Sequence, residues 1–217
     1  FRRVLFRSLW DDERLTTWFD TFMPTLDLRI PEVYEAMTDS AAWWVANSGI
    51  DGFRHDATKH IPLVFWRRLT EKVKKLTADC GRRIFQIGET YGSADLISSY
   101  LGTGMLDAQF DFNLYDKAIV AFGKDDAGVE DLIRVAQEGL DTYGAHHLMG
   151  TITGNQDRPR FASLAEGTVR WEEDHKLAGW TRQIDRNGLR GHHAMRMLTA
   201  FNLSMPGVPC LYQGDEY

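Results

Sequence analysis

Three short segments each place a carboxylate directly after an apolar run, a position suited to nucleophilic and acid–base chemistry. In the first, residues 50–56, Arg54 and Asp56 stand two residues apart. Because side chains alternate along a strand, these two share a face, and the guanidinium would hold the carboxylate ionised and oriented. A carboxylate nucleophile needs this setting. The alternative is a structural Arg–Asp pair.

The other two segments carry Glu89 and Asp157. Glu89 ends the apolar run 84–88 after Gly88, a glycine that would leave room for a ligand. Apolar surroundings favour the neutral form of a carboxyl, which suits a general acid; a helix-capping glutamate is the alternative. In the third segment, Asn155, Gln156 and Asp157 follow an apolar run and precede a proline, a pattern that is also typical of a polar turn.

Hydrophobic periodicity predicts an alternation of strands and helices around these segments. The predicted strands lie at or within 50–56, 84–89, 106–113, 148–155 and 208–213, and the predicted helices are 31–47, 61–78, 94–101, 126–143 and 191–204. Strands separated by long helices imply right-handed parallel βαβ units. No dinucleotide-binding or phosphate-binding glycine motif follows a strand. The acids instead lie at strand C-terminal ends, where barrel active sites are built, so we predict an α/β fold that is part of a barrel.

Composition excludes several other classes of protein. The 217 residues carry 25 Lys and Arg against 31 Asp and Glu, and 43% are hydrophobic, which is typical of a globular chain rather than a basic nucleic-acid binder. The sequence has no apolar run of the roughly 18 residues that a membrane-spanning helix needs, so neither nucleic acid nor membrane is an expected partner. Cys80 and Cys210 are too few for a disulfide framework or a four-ligand zinc site, and we expect two buried thiols.

Taken in order, the segments resemble the α-amylase family of glycoside hydrolases, which are (β/α)8 TIM barrels acting on α-glucosidic bonds. Residues 52–60 resemble the family's strand-4 segment, 88–89 strand 5, 155–157 strand 7 and 206–216 strand 8. Residues 23–27 resemble the short motif before strand 4, and their Met-Pro start is similar to the neopullulanase and cyclomaltodextrinase side of the family. The resemblance implies a partial (β/α)8 barrel covering about strands 4 to 8.

The resemblance also implies a role for each carboxylate. Asp56 would be the nucleophile that forms a covalent glycosyl-enzyme, held by Arg54. Glu89 would protonate the leaving oxygen and then activate water, and Asp157 would bind sugar hydroxyls in the strained transition state. Retaining enzymes of this type hold their two reacting carboxyls about 5–5.5 Å apart.

Three further residues complete the implied site. Lys59 and His60 would contact the leaving-group sugars. Gln156 stands where the family usually has histidine; its amide still donates a hydrogen bond but cannot become cationic. We expect this exchange to weaken transition-state binding or to shift subsite preference, without abolishing activity.

The implied function is retaining hydrolysis of α-glucosidic bonds in starch-like glucans, maltooligosaccharides or cyclodextrins. Two alternatives stay open: an α-glucanotransferase, which passes the same intermediate to another sugar, and a catalytically inactive binding relative. The chemistry requires no cofactor, and structural calcium would belong to barrel segments that precede this chain. Bond specificity, oligomeric state and compartment stay open.

The ends of the chain suggest an internal fragment. Residues 1–8 (FRRVLFRS) contain three arginines and no acid, and residues 3–8 resemble the translation of a sequencing adapter. We interpret them as an artefact, with a genuine basic strand or loop as the alternative, and 9–217 as the C-terminal part of a barrel truncated at both ends. Because a partial barrel exposes a strand edge, we expect this chain alone to be insoluble or partly folded, and inactive.

Overall fold

The computed structural model describes residues 11–185 and 188–216. The suspected adapter segment, 1–8, lies outside the described residues. The chain divides into two compact units. The first runs up to Tyr91 and includes Leu96–Gln109; the second comprises Gly92–Asp95 and the chain from Phe110 onwards.

A parallel three-stranded sheet lies in the first unit. Its strands, in spatial order, are β1 (Gly52–His55), β2 (Phe85–Gly88) and β3 (Ala108–Gln109). In the register of the sheet, Arg54 lies opposite Ile87, and His55 lies opposite Gly88. Since side chains alternate across a sheet, Arg54 and Ile87 lie on one face and His55 and Gly88 on the other.

Helix α2 (Leu63–Thr77) lies against the face of this sheet that carries His55, whose ring centroid is 4.7 Å from that of Trp66. Helix α1 (Pro31–Asn47) packs on α2; a short 3-10 helix (Thr58–His60) precedes α2, and α3 (Ala94–Ser98) follows β2 in the chain. Trp66, Leu69 and Val73 recur at helical spacing along α2, and all three are buried. This stripe forms a core with Val45 of α1 and supplies most of the stabilisation expected of an amphipathic helix.

The second unit contains the parallel pair β4 (Gly150–Ile152) and β5 (Val208–Cys210). Phe110 forms an isolated parallel bridge to Gly150. The helices are α4 (Phe112–Gly123), α5 (Glu130–Tyr143), α6 (Phe161–Glu166), α7 (His175–Thr181) and α8 (Leu189–Ser204).

All ten predicted elements are present in the predicted order, and most are shorter than predicted, although α1 has the predicted bounds and α8 begins two residues earlier. Three α-helices, α4, α6 and α7, were not predicted. The region 106–113, predicted to contain a strand, holds the two residues of β3 and then the start of α4. The Asp111 side chain caps α4 by accepting a hydrogen bond from the Leu114 N–H at 3.0 Å. Asp174 caps α7 in the same way. Such side-chain caps compensate for the missing backbone partners of a first helical turn.

The prediction of two buried thiols is wrong. Cys80 is exposed and Cys210 is half-buried. Cys80 lies past the end of α2, beyond the stripe that faces the core. In the parts of the chain that the structure describes, no helix has the length and apolar character to cross a membrane.

Candidate active site

One arginine joins the two candidate carboxylates of the first unit. Arg54 Nη1 lies 2.6 Å from Asp56 Oδ1, and Arg54 Nη2 lies 2.6 Å from Glu89 Oε2. The Glu89 side chain is 8% exposed, whereas that of Asp56 is 75% exposed. The structure therefore brings Arg54, Asp56 and Glu89 together, with one carboxylate sheltered and the other open to solvent.

Strand register explains this meeting. Asp56 follows β1 and Glu89 follows β2, and the Glu89 N–H donates to the His55 carbonyl at 2.9 Å. Parallel strands in register end at the same edge of a sheet, so the two carboxylates emerge side by side. Arg54 lies two residues before Asp56 on the same face, as the sequence predicts.

Two opposing influences act on the Glu89 carboxyl. Burial favours its neutral form, and the Arg54 cation favours its ionised form. The ion pair ties Glu89 to Arg54 and, through it, to Asp56, an arrangement that the helix-capping alternative does not require. The expectation that its surroundings favour the neutral acid stays a prediction.

Gly88 corrects one interpretation of the sequence. We expected this glycine to leave room for a ligand beside Glu89. A Cβ at position 88 would instead lie 2.5 Å from Thr58 Oγ1 and closer still to Gln109 Nε2. The space is filled by the protein's own side chains, on the face of the sheet opposite Arg54.

Lys59 and His60 lie on the 3-10 helix that follows Asp56. Lys59 Nζ forms an ion pair with Asp11 Oδ1 at 2.7 Å, and His60 Nδ1 lies 2.9 Å from the Arg14 carbonyl oxygen. His60 is buried, and burial lowers its pKa. In the structure both side chains contact the segment 11–19, and their predicted contacts with sugars stay predictions.

Gln156 and Asp157 lie in the second unit, on an exposed turn after β4. The Asp157 N–H donates to Asn155 Oδ1 at 3.0 Å, and Gln156 Nε2 donates to Asp157 Oδ2 at 3.2 Å. The segment is thus the polar turn that its composition suggests, and that turn presents the Asp157 carboxylate to solvent.

Both ends of this turn are tethered to the loop after β5. Thr153 Oγ1 donates to Asp215 Oδ2 at 2.6 Å, and Arg160 Nη1 donates to Asp215 Oδ1 at 3.1 Å and to the Gln213 carbonyl at 2.6 Å. The Arg160 guanidinium also lies over the Tyr212 ring, 4.3 Å from its centroid. Asp215, whose side chain is 5% exposed, therefore holds the segment 153–160 at two points.

Sequence reasoning missed Thr58, Arg160 and Asp215. Each acts through a partner distant in the chain, and no local spacing pattern marks such a contact. Elsewhere, Asp107 Oδ2 accepts from the Gln86 N–H at 2.8 Å and so supports β2. Within residues 11–185 and 188–216, no group of three or more His, Cys, Asp or Glu side chains is arranged to hold a metal ion.

Comparison with known proteins identifies the family of this chain. The family model described as "Alpha amylase, catalytic domain" matches residues 4–217. The chain belongs to the α-amylase catalytic-domain family. Its expected α/β architecture, part of a TIM barrel, is confirmed.

Similar proteins in this family include enzymes named cyclomaltodextrinase. That of Geobacillus thermopakistaniensis is 27% identical over 205 residues, covering 91% of this chain and 30% of the relative. A Bacillus cyclomaltodextrinase is 24% identical over 200 residues, again covering 91% and 30%. The chain thus spans under a third of the length of these relatives.

A solved structure shows the same fold. The α-amylase of Geobacillus thermoleovorans, crystallised with acarbose, matches at a TM-score of 0.73 and 26% identity, over 95% of this chain and 42% of that protein. The α-amylase-family chain described here therefore covers part of a larger catalytic domain.

Proposed function

We propose that this chain carries the reacting carboxylates of a retaining glycoside hydrolase that acts on α-glucosidic bonds of starch-like glucans, maltooligosaccharides or cyclodextrins. The observation that carries the proposal is the Arg54 bridge between Asp56 and Glu89. Similarity to cyclomaltodextrinases and to an acarbose-bound α-amylase supports the substrate class.

The first step is displacement at the anomeric carbon. An Asp56 oxygen attacks that carbon, and the bond to the glycosidic oxygen breaks. Glu89 donates its proton to that oxygen, so that the leaving sugar departs as an alcohol. Asp157 would bind hydroxyls of the distorted sugar, and Gln156, Lys59 and His60 would contact neighbouring sugar units.

In the second step the Asp56 ester is hydrolysed. Esterification removes the charge of Asp56, so that Arg54 has only Glu89 as its anionic partner. The cation then favours the ionised form of Glu89, which is the form that takes a proton from water. Attack of that water on the anomeric carbon releases the sugar with retained configuration and regenerates both carboxyl groups.

The test uses the full-length protein that contains this chain. Asp56→Ala is expected to abolish hydrolysis of maltooligosaccharides, and proton NMR of the fresh wild-type product is expected to show the α-anomer first. Full activity of Asp56→Ala, or an inverted first product, would refute the mechanism. Longer oligomers formed from a short maltooligosaccharide would identify transfer, and an inactive wild-type protein would identify a binding relative.

We also propose that residues 1–217 alone are inactive. The described strands form a three-stranded and a two-stranded sheet, and unpaired strand edges promote aggregation. Soluble protein of this length that released the chromophore from a chromogenic maltoside would overturn this point and leave the assignment of the carboxylates untouched.

A further inference from the structure

The hydrogen-bond ladder between β1 and β2 continues past the strand ends with one residue inserted. The Glu89 N–H donates to the His55 carbonyl at 2.9 Å. A regular parallel ladder would then join the Glu89 carbonyl to the N–H two residues after His55, which is that of Ala57. The N–H that reaches this carbonyl, at 2.8 Å, is instead that of Thr58.

Ala57 is the inserted residue. Its φ of 45° and ψ of 46° place it in the left-handed region, and no other non-glycine residue in the described ranges has a positive φ. Residues held in this conformation are energetically costly and cluster at functional sites. Like a β-bulge, the insertion redirects the chain at the end of β1, immediately after Asp56.

Thr58 contacts both peptide groups of Glu89. Besides the bond from its N–H, Thr58 Oγ1 accepts from the Glu89 N–H at 3.0 Å. The Thr58 carbonyl accepts from Trp66 Nε1 at 3.3 Å, and the residue is fully buried. Glu89, which follows β2, and Trp66, on α2, therefore fix the backbone and the hydroxyl of Thr58.

Gly88 makes this hydroxyl contact sterically possible. The Thr58 hydroxyl and the buried Gln109 amide occupy the space that a side chain at position 88 would need. Gly88, next to the candidate acid, thus leaves room for the Thr58 hydroxyl on the face of the sheet opposite Arg54.

We propose that Thr58 is a positioning residue for Glu89. Its N–H and hydroxyl set the position of the Glu89 backbone relative to the turn that carries Asp56. The proposal rests on the proposed function, because it matters only if these two carboxyls react with one sugar. A retaining mechanism constrains their separation closely, and misplacing a reacting group by about 1 Å can cost about 100-fold in rate.

Thr58→Val removes the hydroxyl while keeping the branched shape and the N–H. Thr58→Ser, the matched control, keeps the hydroxyl and loses the methyl group. Both are made in the full-length protein and assayed on two substrates: maltotetraose, whose leaving alcohol needs a proton from Glu89, and α-maltosyl fluoride, whose leaving fluoride does not.

For Thr58→Val we expect kcat on maltotetraose to fall about 10- to 100-fold with KM changed less than about twofold. We expect a much smaller loss of kcat/KM on the fluoride, because this parameter reports the first step, in which fluoride leaves without a proton, whereas Glu89 still activates water in the second step for both substrates. We also expect a shift of the pH–rate limb that reports the acid. Thr58→Ser should stay close to wild type on both substrates. If Thr58→Val fails to fold, as judged by its urea midpoint, Thr58→Ala tests the same substrate contrast.

Equal losses of kcat/KM on both substrates, or a Thr58→Ser variant as impaired as Thr58→Val, would overturn the positioning role and leave the proposed function standing. A Thr58→Val enzyme with wild-type rates would also overturn it. Failure of the proposed function looks different: Asp56→Ala would then retain activity, or the wild-type protein would act on neither substrate.

Discussion

The two units fix their candidate carboxylates in different ways. In the first, Glu89 and Asp56 share one guanidinium at the ends of two paired strands. In the second, Asp157 lies on an exposed turn, and Asp215 and Arg160 hold the ends of that turn rather than the carboxylate. Direct pairing fixes the atoms proposed to react, whereas tethering fixes the ends of a loop. The exposed Asp157 side chain, which accepts a hydrogen bond from its neighbour Gln156, then has more freedom to adjust to the proposed sugar.

Replacing the central arginine of each region tests this contrast most strongly. Arg54→Met should lower kcat/KM on maltooligosaccharides about 100-fold, because Glu89 would lie buried without its cation and Asp56 would lose its orientation. Arg160→Met should cost only about tenfold. It removes the hydrogen bonds to Asp215 and to the Gln213 carbonyl, but the Thr153–Asp215 hydrogen bond remains, and these groups hold a loop rather than a proposed reacting atom. Steady-state kinetics on the full-length protein measures the kcat/KM of both variants. Similar losses for the two would contradict the difference between a paired and a tethered carboxylate.

The pH dependence of stability should also differ between the units. Burial lowers the pKa of His55 from 6.5 to about 4, so the folded state binds fewer protons than the unfolded state between these values. The free energy of unfolding should therefore be unaffected by His55 above pH 6.5 and fall by about 3 kcal/mol on acidification to pH 4. His55→Gln, measured by urea denaturation at several pH values, should remove this contribution to the fall in the free energy of unfolding at low pH.

His147 in the second unit supplies the control. Burial lowers its pKa as well, but by less than it lowers that of His55, and His147→Gln should therefore flatten the pH profile less. A larger effect at His147 than at His55 would contradict the comparison.

Two glycines provide a smaller test. Gly88→Ala should destabilise the protein by about 1–3 kcal/mol, because its Cβ would overlap the Thr58 and Gln109 side chains. At Gly154, before the Asp157 turn, a Cβ would lie 3.6 Å from the Tyr212 ring, an ordinary contact. Gly154→Ala should thus change stability by no more than about 0.5 kcal/mol. Urea midpoints compare the two, and an equally damaging Gly154→Ala would show that the second region is as tightly packed as the first.

The smallest effect is expected at Gln156, which is exposed and donates to Asp157. Gln156→His places an ionisable donor there, so kcat/KM should change by less than about tenfold and gain a pH dependence near pH 6.5. Gln156→Asn, which cannot titrate, is the control. A profile that stays flat for Gln156→His would indicate that position 156 does not contact the reacting sugar.

Local patterns predicted the elements and the shared face of Arg54 and Asp56. Alternation along β1 and the apolar stripe of α2 depend on neighbouring residues, and a single chain displays them directly. The Asp111 cap that begins α4 is also a local signal, and the strand-like alternation of apolar and polar residues in 106–113 concealed it.

The contacts made by Thr58 and Gly88 required the structure. Thr58 meets Glu89 only because β1 and β2 pair in one particular register, with an extra residue after β1. Gly88 is needed because Gln109 approaches from the next strand. Register is set by the packing of the whole sheet, and no spacing within one segment reports it.

The alternation of faces in the first sheet has a practical consequence for protein engineering. Behind the carboxylates, His55 Nε2 lies 3.1 Å from Gln86 Oε1, and Gln86 Nε2 donates to Thr70 of α2 at 2.9 Å. Substitutions meant to alter the proposed preference for one glycosidic linkage can thus be placed on the opposite face of the sheet, for instance at Ile87. The hydrogen-bonded residues His55, Gln86 and Thr70 are then kept constant. A combinatorial library restricted in this way should yield a larger fraction of folded clones than one that randomises consecutive residues.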